Sequence, residues 1–121
     1  MIVAVPSETD QGLNSIRSGH FGHTPYFTLV TVEDGKITDV KPVKNIDHDT
    51  YGCGGVIEFA LQQGIDAMIT VGMGRPPLMR FTEAGVKVYA EGETPMVGDV
   101  VQKFLDGKCQ LMSFEDACNH H

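Results

Sequence analysis

The segment Ala67-Met68-Ile69-Thr70-Val71-Gly72-Met73-Gly74-Arg75-Pro76-Pro77-Leu78 runs from a continuous apolar stretch through a glycine-punctuated turn into a proline-led helix start. A strand buried on both faces shows such an unbroken apolar run. Proline suits the first turn of a helix because the N–H it lacks has no intrahelical partner there. Downstream, Leu78, Met79 and Phe81 supply an apolar helical face, Gly85 ends it, and Val86-Lys87-Val88-Tyr89 reads as the next strand. Upstream, Val56, Ile57, Ala60 and Leu61 share one helical face in a helix expected from Gly54, which Gly64 stops. Strands alternating with helices in this way imply right-handed β-α-β connections and a largely parallel sheet.

The flanks complete the pattern. Ile2 to Val5 is a short apolar run closed by Pro6, expected to be a buried central strand. Tyr26 to Val32 is aromatic and β-branched, Asp34-Gly35 is a hairpin turn, and Lys36 to Val43 returns as an edge strand marked by Pro42. At the other end Thr94 is expected to cap a helix with Pro95 in its first turn, an apolar stripe from Met96 to Leu105, and Gly107 as its stop. The fold class read from this order is α/β, a single domain, with residues 1–110 as the ligand-binding domain and 111–121 as a C-terminal extension.

Composition narrows the function classes. A chain of 121 residues, 41% hydrophobic, suffices for one core. Its formal charge of -7 sets long nucleic-acid backbones against overall repulsion. No apolar run nears the roughly 20 residues that span a bilayer, and the start lacks a basic region before a signal peptide, so a cytoplasmic protein is expected. Cys53, Cys109 and Cys118 form no C-x-x-C pair, which argues against a zinc ribbon or a disulfide framework.

Three glycine-rich loops carry the imidazole and thiol groups: Gly19-His20-Phe21-Gly22-His23-Thr24-Pro25, Asp47-His48-Asp49-Thr50-Tyr51-Gly52-Cys53-Gly54-Gly55, and Gly72-Met73-Gly74-Arg75. Each falls beside a strand end, and open α/β sheets bind ligands at the carboxyl edge of their parallel strands. His20 and His23 either face one site together, or one bonds the loop backbone while the other is solvated. His48 is a ligand or part of a surface turn. Cys53, beside Gly54 at a helix start, is an acidified ligand or nucleophile, or else an inert packing thiol. Gly72, Gly74 and Arg75 form an anion cradle or a plain tight turn. Met73 is a thioether ligand or core packing, Arg17 and Arg80 enlarge a positive region or are ordinary exposed arginines, and Cys118-Asn119-His120-His121 is a metal-binding run or, preferred, a frayed or appended tail.

Gly19 to Phe27, Gly52-Cys53-Gly54-Gly55, Gly72 to Pro76 and Ala84-Gly85-Val86-Lys87-Val88 together resemble the dinitrogenase iron-molybdenum cofactor-binding family over nearly the whole chain. That family includes carrier domains of nitrogenase cofactor biosynthesis and the orange proteins of sulfate reducers, which hold a molybdenum-copper sulfide cluster. The resemblance implies a ribonuclease H-like mixed five-stranded sheet with flanking helices. It also implies a non-catalytic carrier that binds iron-molybdenum cofactor or another molybdenum-, iron- or copper-sulfide cluster and works with cofactor-assembly proteins. Carried onto this sequence, it places the cluster at His20, His23, His48, Cys53, Gly54, Gly72, Gly74 and Arg75, with His20, His23 and Cys53 as metal ligands. Family members often carry Gly-Pro-Arg-Ala in the third loop, whereas Gly74-Arg75-Pro76-Pro77 inverts proline and arginine. The rival readings are a thiol-based redox or regulatory domain built on Cys53 and, by fold analogy alone, a nuclease. The latter lacks carboxylates on the strand Ile2 to Val5 to hold two metals.

Overall fold

A computed structural model describes the backbone of residues 1–46 and 48–112, and the side chains of all of these except 48–53. Six strands form one mixed sheet. In chain order the elements are β1 (Ile2–Ser7), a 3-10 turn (Gly12–Asn14), β2 (Tyr26–Glu33), β3 (Lys36–Lys44), α1 (His48–Gln62), β4 (Ala67–Thr70), α2 (Arg75–Glu83), β5 (Lys87–Ala90), α3 (Val97–Leu105) and β6 (Gln110–Leu111). Across the sheet the order is β3-β2-β1-β4-β5-β6. The expected central strand is therefore central: β1 pairs antiparallel with β2 on one side and parallel with β4 on the other.

Alternation along each strand divides the core between two layers of helix. Ala4, Phe27, Leu29 and Met68 point to the face covered by α1 and α2, where they meet Val56, Ile57, Ala60, Leu78 and Phe81. Val3, Val5, Val30 and Ile69 point to the opposite face, where α3 lays down Val97, Val100 and Val101. Phe81, fully buried, contributes on the order of 2 to 3 kcal/mol by its removal from water.

The expected hairpin is present. Asp34 and Gly35 both adopt positive φ, 52° and 77°, which is the two-residue geometry that matches the twist of the flanking strands. Its outer strand β3 is mostly exposed along its length.

Three expectations are corrected. The sheet has six strands rather than five, because Gln110 and Leu111 pair antiparallel with Ala90 and Tyr89. Met112 then donates its N–H to the Val88 carbonyl, so the sheet runs past residue 110. Helix α1 starts at His48, not near Gly54. Glycine costs a helix about 1 kcal/mol against alanine, yet extending a helix already docked through Val56, Ile57 and Ala60 adds a hydrogen bond for each residue fixed. Thr94 does not cap α3, whose N-cap is Met96. The Thr94 hydroxyl bonds the Glu91 carboxylate instead, and the Ser15 carbonyl accepts the N–H of Val97, the first residue of the helix.

Candidate functional site

The loop after β1 is held at both ends before it presents anything. The Ser18 N–H donates to the Pro6 carbonyl at 2.8 Å, and the buried Thr24 hydroxyl donates to the Ser7 carbonyl at 2.8 Å. Between these anchors Phe21, 6% exposed, is driven into the core, its ring edge-on to Phe81 at 5.5 Å and tilted on Phe27 at 5.9 Å. With Phe21 buried, its neighbours turn outward: His20 and His23 are exposed. Ser18 fixes the first of them further, exchanging hydrogen bonds with the His20 backbone, whose N–H lies 3.1 Å from the Ser18 hydroxyl.

The turn between β4 and α2 arrives at the same place. A cavity of about 310 Å³ opens on the carboxyl edge of the sheet, walled by Gly19 to His23 on one side and by Gly72 to Gly74 with Pro77 on the other. All three loops, the His20–His23 and Cys53 loops above all, are expected at this edge; the fold brings the first and third together there. Met73 is 6% exposed and belongs to the apolar cluster, so it packs as well as lining the wall. Arg75 is the first residue of α2, exposed, with Gly74 as N-cap and no side chain capping the helix. The N-terminal turn of α2 is a sparse donor, because Pro76 and Pro77 lack N–H groups and the Leu78 N–H is bonded to the Gly74 carbonyl.

The second loop is corrected in kind: from His48 onward it is helix, so His48 and Cys53 sit in the first turns of α1. The chain enters that helix from beside the first loop, since Asn45 donates its backbone N–H to Pro25 and its side-chain amide to Thr24, both through carbonyls at 2.9 Å. Gly54 is exposed on the helix. The side chains of His48 and Cys53 lie outside the described residues, as do Cys118, His120 and His121. Among the described residues no group of three or more His, Cys, Asp or Glu side chains is arranged to hold a metal ion.

The sequence profile of the dinitrogenase iron-molybdenum cofactor family matches residues 1–107. The chain belongs to that family. Its fold is similar to that of the apo orange protein from Desulfovibrio gigas, with a TM-score of 0.81 and 25% identity over 93% of this chain and 92% of the other. It is also similar to the crystal structure of PH0822, with a TM-score of 0.77 and 30% identity over 93% and 96% of the two chains. An uncharacterized protein of Methanocaldococcus jannaschii, MJ0580, is 26% identical over 112 residues, covering 91% of this family member and 90% of its relative. No helix among the described residues is long and apolar enough to cross a membrane.

Sequence reasoning missed the polar hub behind this edge. Arg17 is buried, not an ordinary exposed arginine; its Nη1 lies 3.1 Å from Glu91 Oε1, with the two side chains 4% and 8% exposed. Glu91 also accepts from Lys103 Nζ at 3.0 Å, from the backbone N–H of Glu93 at 2.7 Å and Thr94 at 3.0 Å, and from the Thr94 hydroxyl. Burial pushes the Glu91 carboxyl up, but the Thr94, Lys103 and Glu93 hydrogen bonds outweigh it and bring its pKa down to about 2. Burial lowers the Arg17 guanidinium against the opposing pull of Glu91. The nearby Cys109 thiol is raised, by burial first and then by Glu91. Arg80, by contrast, is exposed as expected and pairs with Glu58 across α1 and α2.

Proposed function

We propose that this family member binds an anionic iron- or molybdenum-containing metal–sulfur cluster as cargo and carries or stores it during cofactor assembly, without catalysing a reaction itself. The observation that carries the reading is the shared cavity of His20 and His23 with Gly72 and Gly74 on the carboxyl edge of the sheet. The family match and the likeness to the orange protein support the same class of ligand. In this reading His20, His23 and Cys53 ligate metal. His48, Gly54, Gly72, Gly74 and Arg75 surround the cluster, and the cationic Arg75 offsets part of its negative charge within a chain of net charge -7. Cofactor-assembly proteins are the partners that would load and unload it, and the cytoplasm is where they would meet.

Anaerobic titration with a preformed molybdenum-containing sulfide cluster tests the assignment. His20 and His23 are exposed, so their alanine variants should fold like the parent yet take up less cluster or shift its visible absorption. Cys53→Ala should behave alike, and Arg75→Ala should weaken uptake with thermal unfolding unchanged. Parent-like affinity and spectra in all four variants would reject the site.

A further inference from the structure

A second cavity lies on the same carboxyl edge but on the α3 side of β4, and it shares no lining residue with the one described above. It measures about 260 Å³ and is lined by Arg17 together with Ile16, Val71, Thr94 and Pro95. Arg17 uses only one end of its guanidinium within the protein: Nη1 meets Glu91 Oε1 and the Thr94 carbonyl at 3.1 and 3.2 Å. Among the described residues Nε and Nη2 are buried without a hydrogen-bond partner. Native interiors seldom leave such donors unmatched, and here two lie on the same guanidinium. Nε–H and the adjacent Nη2–H form the side-on fork of the guanidinium, whose two parallel donors match the two oxygens of a carboxylate.

Charge and shape narrow the ligand. Among the described residues Arg17 and Lys103 share one buried carboxylate, that of Glu91, so two cations face one anion there. Glu93 on the lining is exposed and disfavours dianions. Ile16 and Val71, 55% and 39% exposed, form an apolar rim that gains by covering a small hydrocarbon group. We propose that the Nε–Nη2 edge of Arg17 is the receptor for a small monocarboxylate with a short apolar substituent, seated against Ile16, Val71 and Pro95. The two nitrogens are sealed from solvent, so the ligand reaches them only as the cavity lining opens. The proposal is independent of cluster binding, which uses the cavity on the α2 side.

The chain contains three arginines, Arg17, Arg75 and Arg80, so their Nε–H signals can be followed individually in nitrogen-proton NMR spectra after through-bond assignment. Formate, acetate, propionate and isobutyrate would be titrated to about 50 mM, since ligands of so few atoms bind at roughly millimolar strength. Propionamide and inorganic phosphate serve as controls. The Arg17 signal should move saturably with the carboxylates, more tightly as the substituent grows, while Arg80 stays put and both controls bind at least several-fold more weakly. Ile16→Trp, placed on the exposed rim, should weaken binding tenfold or more with the Arg17 signal still present. No saturable movement of Arg17, equal response to phosphate, or undiminished binding in the folded Ile16→Trp variant would each overturn the assignment.

Discussion

Replacing Glu91 by glutamine removes one charge and almost no volume, and the structure sets the size of the consequence. A carboxyl held near pH 2 against an ordinary value of 4.5 is worth roughly 3 kcal/mol to the folded state at neutral pH, each tenfold in proton affinity being about 1.4 kcal/mol. The measured cost of stripping one partner from a buried ion pair, about 3 to 5 kcal/mol, brackets the same figure. For a chain of this length that is roughly 10 °C in Tm. The folded carboxyl is the more acidic one, so its contribution is complete above the unfolded pKa and is lost as pH falls through the folded pKa. Urea unfolding of the parent and Glu91→Gln should therefore differ by a constant amount above about pH 5, with the gap closing between about pH 4.5 and pH 2. A gap under about 1 kcal/mol at pH 7, or one that persists undiminished near pH 2, would refute the account of the hub.

Gly54→Ala should stabilise the protein by about 0.5 to 1 kcal/mol, since an added methyl on that exposed helical turn meets nothing within 4 Å. Gly98→Ala should cost about 1 kcal/mol despite the same helical gain, because its methyl would lie 3.1 Å from the Leu13 carbonyl oxygen; urea midpoints in the reverse order would contradict both. Phe21→Ala should lose about 3 kcal/mol by opening a cavity between Phe27 and Phe81, as read by thermal unfolding. Chelator treatment under anaerobic conditions should leave the far-ultraviolet circular dichroism intact, because the two apolar layers fold without metal; cooperative loss of signal would contradict an independent core.

Those layers were legible in the sequence because burial on two faces leaves an unmistakable pattern, as in Ile2 to Val5 and Ala67 to Thr70. Asp34-Gly35 was legible because few residues tolerate positive φ. The start of α1 was not, since Gly52, Gly54 and Gly55 signal a loop locally and docking of the following turns overrides them. Nor was β6, whose two exposed residues are too short to show a period. His20, His23, Gly72 and Gly74 could be brought together on paper because topology alone sends both loops to one edge. Arg17 and Glu91, 74 residues apart, could not; nothing near either residue announces a partner, and arginine is ordinarily a surface residue.

The two borders of the sheet have a consequence for life at high concentration. An open strand edge offers unpaired N–H and C=O groups to any neighbouring chain and so invites stacking into aggregates. At one border β3 carries Lys36, Lys41 and Lys44, together with Pro42, which interrupts the row of donors. At the other, β6 is only two residues long among the described residues and gives a newcomer little to extend. Strand-by-strand growth is blunted at both ends.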